Sequence, residues 1–235
     1  MKLKNNTIIK RVLAFVSVSI LIIKRVLTFV AVCMLVFGGV GFCSKMGSVS
    51  SCHKYYKQYP LNDKNGIAVD SEGNIYIGEG ETESIQVYDS LGNFQYGFSF
   101  PTGGGGWFAF GIKEDKINIV TARTDSYFIF DKGELIYSEK EIGYNRCGEL
   151  ETEYHMTAEN TFSTGSKTYD ISSLNIVSVE DKSNGKVEKI HLDVPVWPFS
   201  AWVFWRIAAI GMIMFFVLNP EFCPSRVNKH KKGMM

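Results

Sequence analysis

The sequence lacks an excess of charge of either sign. Its 25 lysines and arginines are balanced by 24 aspartates and glutamates, which leaves a formal net charge of +1. A nucleic-acid-binding domain ordinarily carries a strong basic excess, because it must neutralise phosphates. The charge balance therefore predicts that no nucleic acid is a partner.

Residues that ligate metals or act as nucleophiles are also sparse and unpatterned. No metal-ligand spacing joins the four histidines, His53, His155, His191 and His230. Four successive glycines at 103–106 are followed by neither Gly-Lys-Ser/Thr nor a helical pattern, which excludes a phosphate-binding loop. We therefore predict no catalytic residue, no metal site and no cofactor.

Cysteine is scarce in the polar middle of the chain. Of five cysteines, Cys33 and Cys43 lie in the N-terminal apolar segment and Cys223 follows the C-terminal one. In an oxidising compartment Cys52 and Cys147 are the candidate disulfide pair. Spacing alone does not establish disulfide geometry, so the bonded and reduced forms both stay open.

What the sequence does contain is an apolar segment at each end. At the N-terminus IIKRVLAFVSVSIL is followed by a second copy, IIKRVLTFVAVCML, 14 residues later. The uncharged run 26–43 has eighteen residues and is long enough to span a bilayer, whereas the run 12–23 is too short. We predict a transmembrane helix at 26–43, preceded by a basic, cytoplasmic or interfacial N-terminus at 1–25.

The C-terminal segment predicts a second transmembrane helix at 197–218. Its start carries an aromatic belt of Trp197, Trp202 and Trp205, from which Arg206 can extend to the headgroups. A basic tail follows at 219–235. The positive-inside rule then predicts an integral cell-membrane protein with the lipid bilayer as a partner. Both termini would be cytoplasmic, and the segment 53–195 would be extracellular.

Each apolar end has an alternative interpretation. The N-terminal segment also has the basic start, apolar core and small residues, Gly39 and Gly41, of a cleaved signal peptide. A lipoprotein site at Cys43 is disfavoured by the bulky Phe42 before it. The C-terminal segment has the composition of a buried helix in a soluble core, although its tryptophans and basic tail favour a span.

The central segment alternates apolar and polar residues between turn signals. We predict strands at 66–70, 74–78, 84–89 and 94–100, joined by turns at Glu72-Gly73-Asn74 and Ser90-Leu91-Gly92-Asn93. Four short antiparallel strands in succession form one blade of a propeller.

The same pattern recurs along the chain. IYIGEGETESIQVYD at 75–89 matches INIVTARTDSYFIFD at 117–131 with an offset of 42, a blade-sized period. A fainter copy at 175–192 follows after an insertion. We predict a mainly β fold of about three antiparallel, four-stranded, propeller-like blades, an incomplete propeller flanked by the two transmembrane helices.

The first copy resembles the NHL repeat, a family of propeller blades. The resemblance rests on GIAVD, GNIYI and IQVYD within residues 66–89. Ser84 and Glu79 depart from the arginine and aspartate usual at these positions. The resemblance implies a blade and carries over no catalytic residue, since the metal and catalytic positions of enzymatic relatives have no match here.

Candidate ligand-binding residues lie in the loops between strands. Glu79, Glu81 and Glu83 follow the second strand, and Thr121, Arg123 and Asp125 are their equivalents 42 residues later. Glu81 and Arg123 are expected to pair if the blades are adjacent; the alternative is a solvated loop. Trp107 either plugs the core with Phe108 or faces a ligand. The predicted ligand-binding residues are Glu79, Glu81, Trp107, Arg123 and Asp125.

Three blades are fewer than the four to eight of a closed propeller. Open blade edges therefore predict a homo-oligomer or a protein partner. The function predicted is that of a membrane-anchored protein that displays an NHL-like β-repeat domain for protein or ligand binding. The alternatives are a propeller-type lyase or hydrolase with a divalent cation, and a truncated propeller fragment without independent activity.

Overall fold

The computed structural model describes residues 2–45, 49–104, 106–172, 174–195 and 200–222. The chain divides into a helical unit, Met1–Ser44 with Ala201–Met235, and a β unit, Lys45–Ser200. The described α-helices are Lys2–Lys45 (α1), Tyr144–Glu153 (α2) and Ala201–Leu218 (α3), and a short 3-10 helix covers Pro220–Phe222.

Helices α1 and α3 form the helical unit, and both are long and apolar enough to cross a membrane. The two apolar copies in α1 continue as one uninterrupted helix of 44 residues. Trp202 and Trp205 are exposed near the start of α3. Trp197 and most of the predicted basic tail, 223–235, lie outside the described residues.

The two helices pack antiparallel through small residues. A Cβ added to Gly38 would lie 2.5 Å from the backbone nitrogen of Ala208, and one added to Gly211 would lie 2.8 Å from the carbonyl oxygen of Ala31. The backbones approach closely because glycine has no side chain, as in many helix pairs in membranes. This register places the uncharged run 26–43 alongside α3.

The β unit contains three antiparallel sheets, which we number by their order in the chain. Sheet one has the spatial order β1-β5-β4-β3-β2. In the other two sheets the strands lie side by side in the order of the chain, β6-β7-β8-β9 and β10-β11-β12-β13. Sheet one consists of His53–Tyr55 (β1), Lys64–Val69 (β2), Ile75–Glu79 (β3), Ser84–Tyr88 (β4) and Phe94–Ser99 (β5). Sheet two consists of Phe108–Lys113 (β6), Lys116–Thr121 (β7), Ser126–Asp131 (β8) and Glu134–Glu139 (β9). Sheet three consists of Thr161–Ser163 (β10), Lys167–Ile171 (β11), Ile176–Asp181 (β12) and Val187–His191 (β13).

The four strands predicted for the first blade are confirmed within about two residues. Their hairpins use the same turn chemistry twice, as DSEGN at 70–74 and DSLGN at 89–93. In each turn the aspartate carboxylate accepts two backbone N–H groups, and the glycine has φ near +90° (Gly73 +87°, Gly92 +89°). The added strand β1 was not predicted, because three residues are too few to show alternation.

Sheet one lies between the other two sheets. One of its faces packs against sheet two in a cluster rich in phenylalanine, which includes Phe98 of β5, Phe100 directly after it, and Phe108 and Phe130 from sheet two. Its other face packs against sheet three through aliphatic residues such as Ile77 and Val177. The stacking order is therefore sheet two, sheet one, sheet three, which differs from the order along the chain.

A short crossing segment makes this order possible. The backbones of Thr157 and Phe110 form two hydrogen bonds, of 3.0 and 3.2 Å, and the Ile67 N–H donates to the Glu159 carbonyl at 3.2 Å. The chain therefore passes along β6 and β2 before it enters sheet three. Gly66 leaves room for this passage: it has φ +99°, and a Cβ there would lie 2.8 Å from the Phe110 ring.

The ends of the stack are finished in two ways. Helix α2, which occupies the predicted insertion before the third blade, covers the outer face of sheet two with Cys147 and Leu150. The outer face of sheet three is polar, as a terminal repeat requires. It carries Thr161, Ser163, Thr168, Asp170, Ser178 and Glu180. Edge pairing by a partner chain stays a prediction.

The disulfide considered for an oxidising compartment is absent, since Cys52 and Cys147 are both free thiols. Cys147 packs between α2 and the outer face of sheet two. Cys52 packs against the cluster on the opposite face of that sheet. Sheet two thus lies between the two side chains.

Phe100 is the core residue whose loss we expect to be most damaging. It is fully buried, and its ring centroid lies 4.9 Å from that of Phe108 and 6.0 Å from that of Phe128. Phe100→Ala should lower the free energy of unfolding by about 3–5 kcal/mol, because it leaves a cavity. Leu91→Ala, at a turn position that is 77% exposed, should change it by less than about 0.5 kcal/mol. Urea unfolding followed by near-ultraviolet circular dichroism measures both; equal midpoints would contradict the proposed core.

Candidate functional site

The candidate site is a rim of loops at one end of sheets one and two. It contains the β3–β4 loop, the β7–β8 loop and the linker 100–107. In each sheet a backbone hydrogen bond joins the loop to the segment that follows the last strand. The Phe100 N–H donates to the Glu83 carbonyl at 3.0 Å, and the Ile142 N–H donates to the Asp125 carbonyl at 2.9 Å. The second pair lies 42 residues after the first at both positions, Asp125 after Glu83 and Ile142 after Phe100. The sequence repeat is therefore also a structural repeat.

Glu79 is buried at the base of this rim. One carboxylate oxygen accepts the backbone N–H groups of Asn62 and Asp63, at 3.1 and 2.7 Å. The other accepts the backbone N–H and the hydroxyl of Thr82, at 2.8 and 3.0 Å. These bonds join the segment before β2 to the β3–β4 loop, so the Glu79 carboxylate faces protein donors.

Burial raises the pKa of the Glu79 carboxyl to about 7, while its hydrogen bonds to Asp63 and Thr82 act in the opposite direction. The nearby Glu81 charge raises it further. The neutral form is accommodated because a proton can be donated to the Thr82 hydroxyl, which in turn can donate to the Ser84 hydroxyl 2.6 Å away. Glu79 therefore changes charge near neutral pH.

Glu83 is the second buried carboxylate of the rim. It accepts backbone N–H groups from Val49 at 3.0 Å, Thr102 at 3.0 Å and Gly104 at 2.9 Å. Its backbone has φ +49°, an uncommon conformation for a residue with a side chain. Glu83 thus fastens the glycine-rich linker and the segment before β1 to the same loop. The alternative of a solvated loop is wrong at Glu79 and Glu83, because both side chains are fully buried.

The expected ion pair between Glu81 and Arg123 is not formed. The Arg123 guanidinium donates to the Gly104 carbonyl at 3.2 Å, and the Glu81 carboxylate accepts the side-chain amide of Asn62 at 3.4 Å. Each side chain is drawn to the loop beside it. The two predicted charges therefore share the rim and do not pair with each other.

Trp107 lies at the end of the glycine-rich linker. Its side chain is 51% exposed, while the neighbouring Phe108 is fully buried in the cluster between sheets one and two. The Trp107 carbonyl accepts the Ala122 N–H at 3.0 Å, which places the indole on the rim beside the β7–β8 loop. Phe108 alone fills the core, and Trp107 faces solvent.

A cleft of about 410 Å³ opens beside Asp125 on the rim. It is lined by Pro101, Arg123, Thr124, Asp125, Ser126, Lys140 and Glu141. Asp125 is the equivalent of Glu83 and has the same left-handed backbone, with φ +44°. Within the described part of the chain the shorter Asp125 carboxylate accepts no hydrogen bond, so its charge remains available to a ligand.

The structure therefore brings Arg123 and Asp125 together in one cleft and places Glu79 beneath the rim. Lys140 and Glu141 were missed by sequence reasoning. The 42-residue offset contained the signal, since it aligns Ile142 with Phe100 and so places the two residues before it next to the β7–β8 loop. In the described ranges no group of three or more histidine, cysteine, aspartate or glutamate side chains is arranged to hold a metal ion.

The raised pKa of Glu79 predicts a pH-dependent stability. A folded-state pKa of about 7, above the ordinary value of 4.5, means that the folded state holds the proton more tightly. The free energy of unfolding should therefore fall by about 3 kcal/mol as the pH rises from about 4.5 to 7, and stay level above. Glu79→Gln, which mimics the neutral form, should remove this slope.

The measurement is a series of urea midpoints between pH 4.5 and 8 for the wild type and Glu79→Gln. Glu114→Gln, which removes an exposed charge in the β6–β7 turn, is the matched control and should keep the wild-type slope. Parallel pH profiles for wild type and Glu79→Gln would contradict the assignment.

Comparison with known proteins finds only distant structural similarity. No protein-family model matches the chain, and no curated protein matches it. Among solved structures it is similar to virginiamycin B lyase from Staphylococcus aureus, with a TM-score of 0.31 and 12% identity over 61% of this chain and 46% of that one. A streptogramin B lyase gives a TM-score of 0.31 and 9% identity over 60% of this chain and 45% of that one. The chain spans less than half of either protein, and similarity at this level assigns neither family nor activity.

Proposed function

We propose that this chain is a membrane-anchored binding protein whose β unit presents the rim cleft to small ligands. The observation that carries the proposal is the arrangement of the helical unit. Two apolar helices bracket the β unit in the sequence and pair with each other, so that the uncharged run 26–43 lies alongside Ala201–Leu218. Eighteen helical residues extend about 27 Å, close to the thickness of a hydrocarbon core.

Surface composition supports the same proposal. Large apolar side chains of α1 and α3 are exposed along most of both helices, including Phe15, Phe29, Val40, Ile213 and Val217. A soluble protein rarely exposes so extensive an apolar surface. A lipid environment accommodates it without cost, and the residues flanking the two runs have the charge bias of a cytoplasmic side.

The β unit supplies the binding function in this proposal. Its repeat resembles NHL blades, and the rim cleft joins two basic side chains, Arg123 and Lys140, to two acidic ones, Asp125 and Glu141. A cleft lined by both charge signs is complementary to a ligand that carries both, such as a zwitterionic amino acid or a short peptide. Trp107 on the same rim offers an aromatic surface for an apolar group.

The membrane topology is tested by cysteine labelling of the full chain in intact cells. In a background with all five native cysteines replaced, Ser71→Cys in the exposed β2–β3 turn should react with a membrane-impermeant maleimide. Lys231→Cys in the basic tail should react only after permeabilisation. Equal reactivity of the two positions in intact cells would contradict two spans. A mature chain shortened to begin after Gly39 or Gly41 would instead identify the N-terminal segment as a signal peptide.

The rim cleft is tested by ligand-dependent stabilisation of the detergent-solubilised full chain. With free amino acids and charged dipeptides as probes, a ligand at a hundredfold excess over its Kd should stabilise the β unit by about 2.7 kcal/mol. Arg123→Gln with Lys140→Gln should abolish the stabilisation. Lys116→Gln with Lys132→Gln, which removes two exposed charges elsewhere on sheet two, should preserve it. The absence of stabilisation by every probe would contradict the proposed ligand class, and turnover of a probe would favour an enzyme.

A further inference from the structure

A second cavity lies in the helical unit, remote in sequence from the rim. It has a volume of about 270 Å³ and is lined by Leu21, Lys24, Arg25, Thr28 and Asn219. It therefore lies between α1 and the residue that follows α3. All but one of its lining side chains are polar or charged, whereas the run 26–43 that begins beside it carries no charge.

The neutral polar side chains of this cavity hold the two helices together. The Thr28 hydroxyl donates to the Lys24 carbonyl at 2.9 Å and accepts the Asn219 side-chain amide at 3.3 Å. The same amide nitrogen donates to the Phe215 carbonyl at 3.0 Å. Both amide hydrogens and the hydroxyl hydrogen are therefore used within the protein. They fix the end of α3 against α1 beside Lys24.

The donors that remain for a ligand are the two cations. Lys24 is half-buried and Arg25 is exposed. Among the described residues neither forms an ion pair with a carboxylate. The sequence supplies little acidic charge near them, since residues 1–25 and 223–235 contain no aspartate or glutamate, and Glu221 is the single acidic residue after α3. The cavity is therefore complementary to an anion.

The position of the cavity along the helices indicates the source of that anion. It lies where the uncharged run 26–43 begins and where α3 ends. If the helices span a bilayer, as proposed above, this is the level of the lipid headgroups. Basic pockets between transmembrane helices on the cytoplasmic side are typical binding sites for anionic lipids. At about 30 Å³ for each water, the cavity has room for a phosphate with bound waters.

We propose that the Lys24–Arg25 cavity binds the phosphate of an anionic lipid headgroup. The inference rests on the proposed membrane anchoring and adds a specific lipid site to it. Arg25 has the planar, two-pronged geometry that suits phosphate oxygens, and Lys24 contributes a compact positive charge. Thr28 and Asn219 act as positioning residues, because they hold the helix ends that form the cavity.

The tandem repeat in α1 provides a matched control. Lys10-Arg11 in the first copy is identical to Lys24-Arg25 in the second and lies 14 residues earlier on the same helix, about 21 Å away. Neutralising either pair removes the same charge from the same sequence context. Among the residues whose side chains the structure describes, the second pair lines the cavity.

The experiment measures phosphatidylglycerol bound to the purified full chain in an uncharged detergent, by native mass spectrometry. Lys24→Gln with Arg25→Gln should weaken the apparent affinity about thirtyfold, as the loss of two cation contacts implies. Lys10→Gln with Arg11→Gln should leave it within about threefold of the wild type. Lys24→Arg with Arg25→Lys, which keeps the charge, should retain most of the binding. Phosphatidylcholine should bind weakly to all four proteins.

Four outcomes separate the alternatives. Equal phosphatidylglycerol affinity in the two neutralised variants would overturn the site. Saturable binding of inorganic phosphate that is lost in Lys24→Gln with Arg25→Gln, together with no binding of phosphatidylglycerol, would overturn the lipid source. Extraction of cell membranes with alkaline carbonate tests the anchor separately: release of the wild-type chain contradicts membrane anchoring, whereas retention with unselective lipid binding contradicts only the lipid site.

Discussion

Sheet one must bury both of its faces, and the architecture of the β unit depends on this constraint. All but one of the residues of β2, β3 and β4 are buried. Successive side chains of a strand point to opposite faces of the sheet. When all of them are buried, the sheet has no face toward solvent and requires a packed layer on each side. Sheet two covers one face and sheet three the other. The remaining face of sheet two is covered by α2, and the stack ends at the polar face of sheet three.

The crossing segment follows from the same constraint. Sheet three comes after sheet two in the chain but must reach the far face of sheet one, so the segment 157–159 passes along β6 and β2. The Thr157 backbone is paired with Phe110, and the Glu159 carbonyl accepts the Ile67 N–H, so the passage satisfies these groups of β6 and β2. The insertion that appeared as a longer spacing in the sequence thus has two roles: α2 caps one end, and the crossing segment delivers the third sheet.

Two equivalent positions of the repeat carry different residues in sheets one and two, and this difference leaves the cleft open at sheet two. At the first, the buried Glu79 accepts backbone N–H groups from the segment before β2, whereas the hydroxyl of its equivalent, Thr121, bonds within its own turn, to Thr124 and Ser126. At the second, Glu83 reaches three amides, whereas the shorter Asp125 accepts none among the described residues. Sheet one therefore has a rim closed by carboxylates, and sheet two has an open one. The backbone of the two loops is nevertheless the same, with a left-handed residue at the same repeat position.

The sequence by itself determined the features that depend on near neighbours. Alternation located β2 to β5, the two Asp-Ser-x-Gly-Asn turns located hairpins of sheet one, the 42-residue repeat located β7 and β8, and uninterrupted apolar runs located α1 and α3. Only the tertiary structure decided the stacking order, the strand β1, and the burial of Glu79 and Glu83. From the sequence alone, two glutamates in a loop predict solvated side chains. The backbone amides that bind these carboxylates come from Val49, Asn62 and Thr102, which lie in other segments. Partners that lie some 15 to 35 residues away along the chain leave no local pattern, so folding alone brings them together.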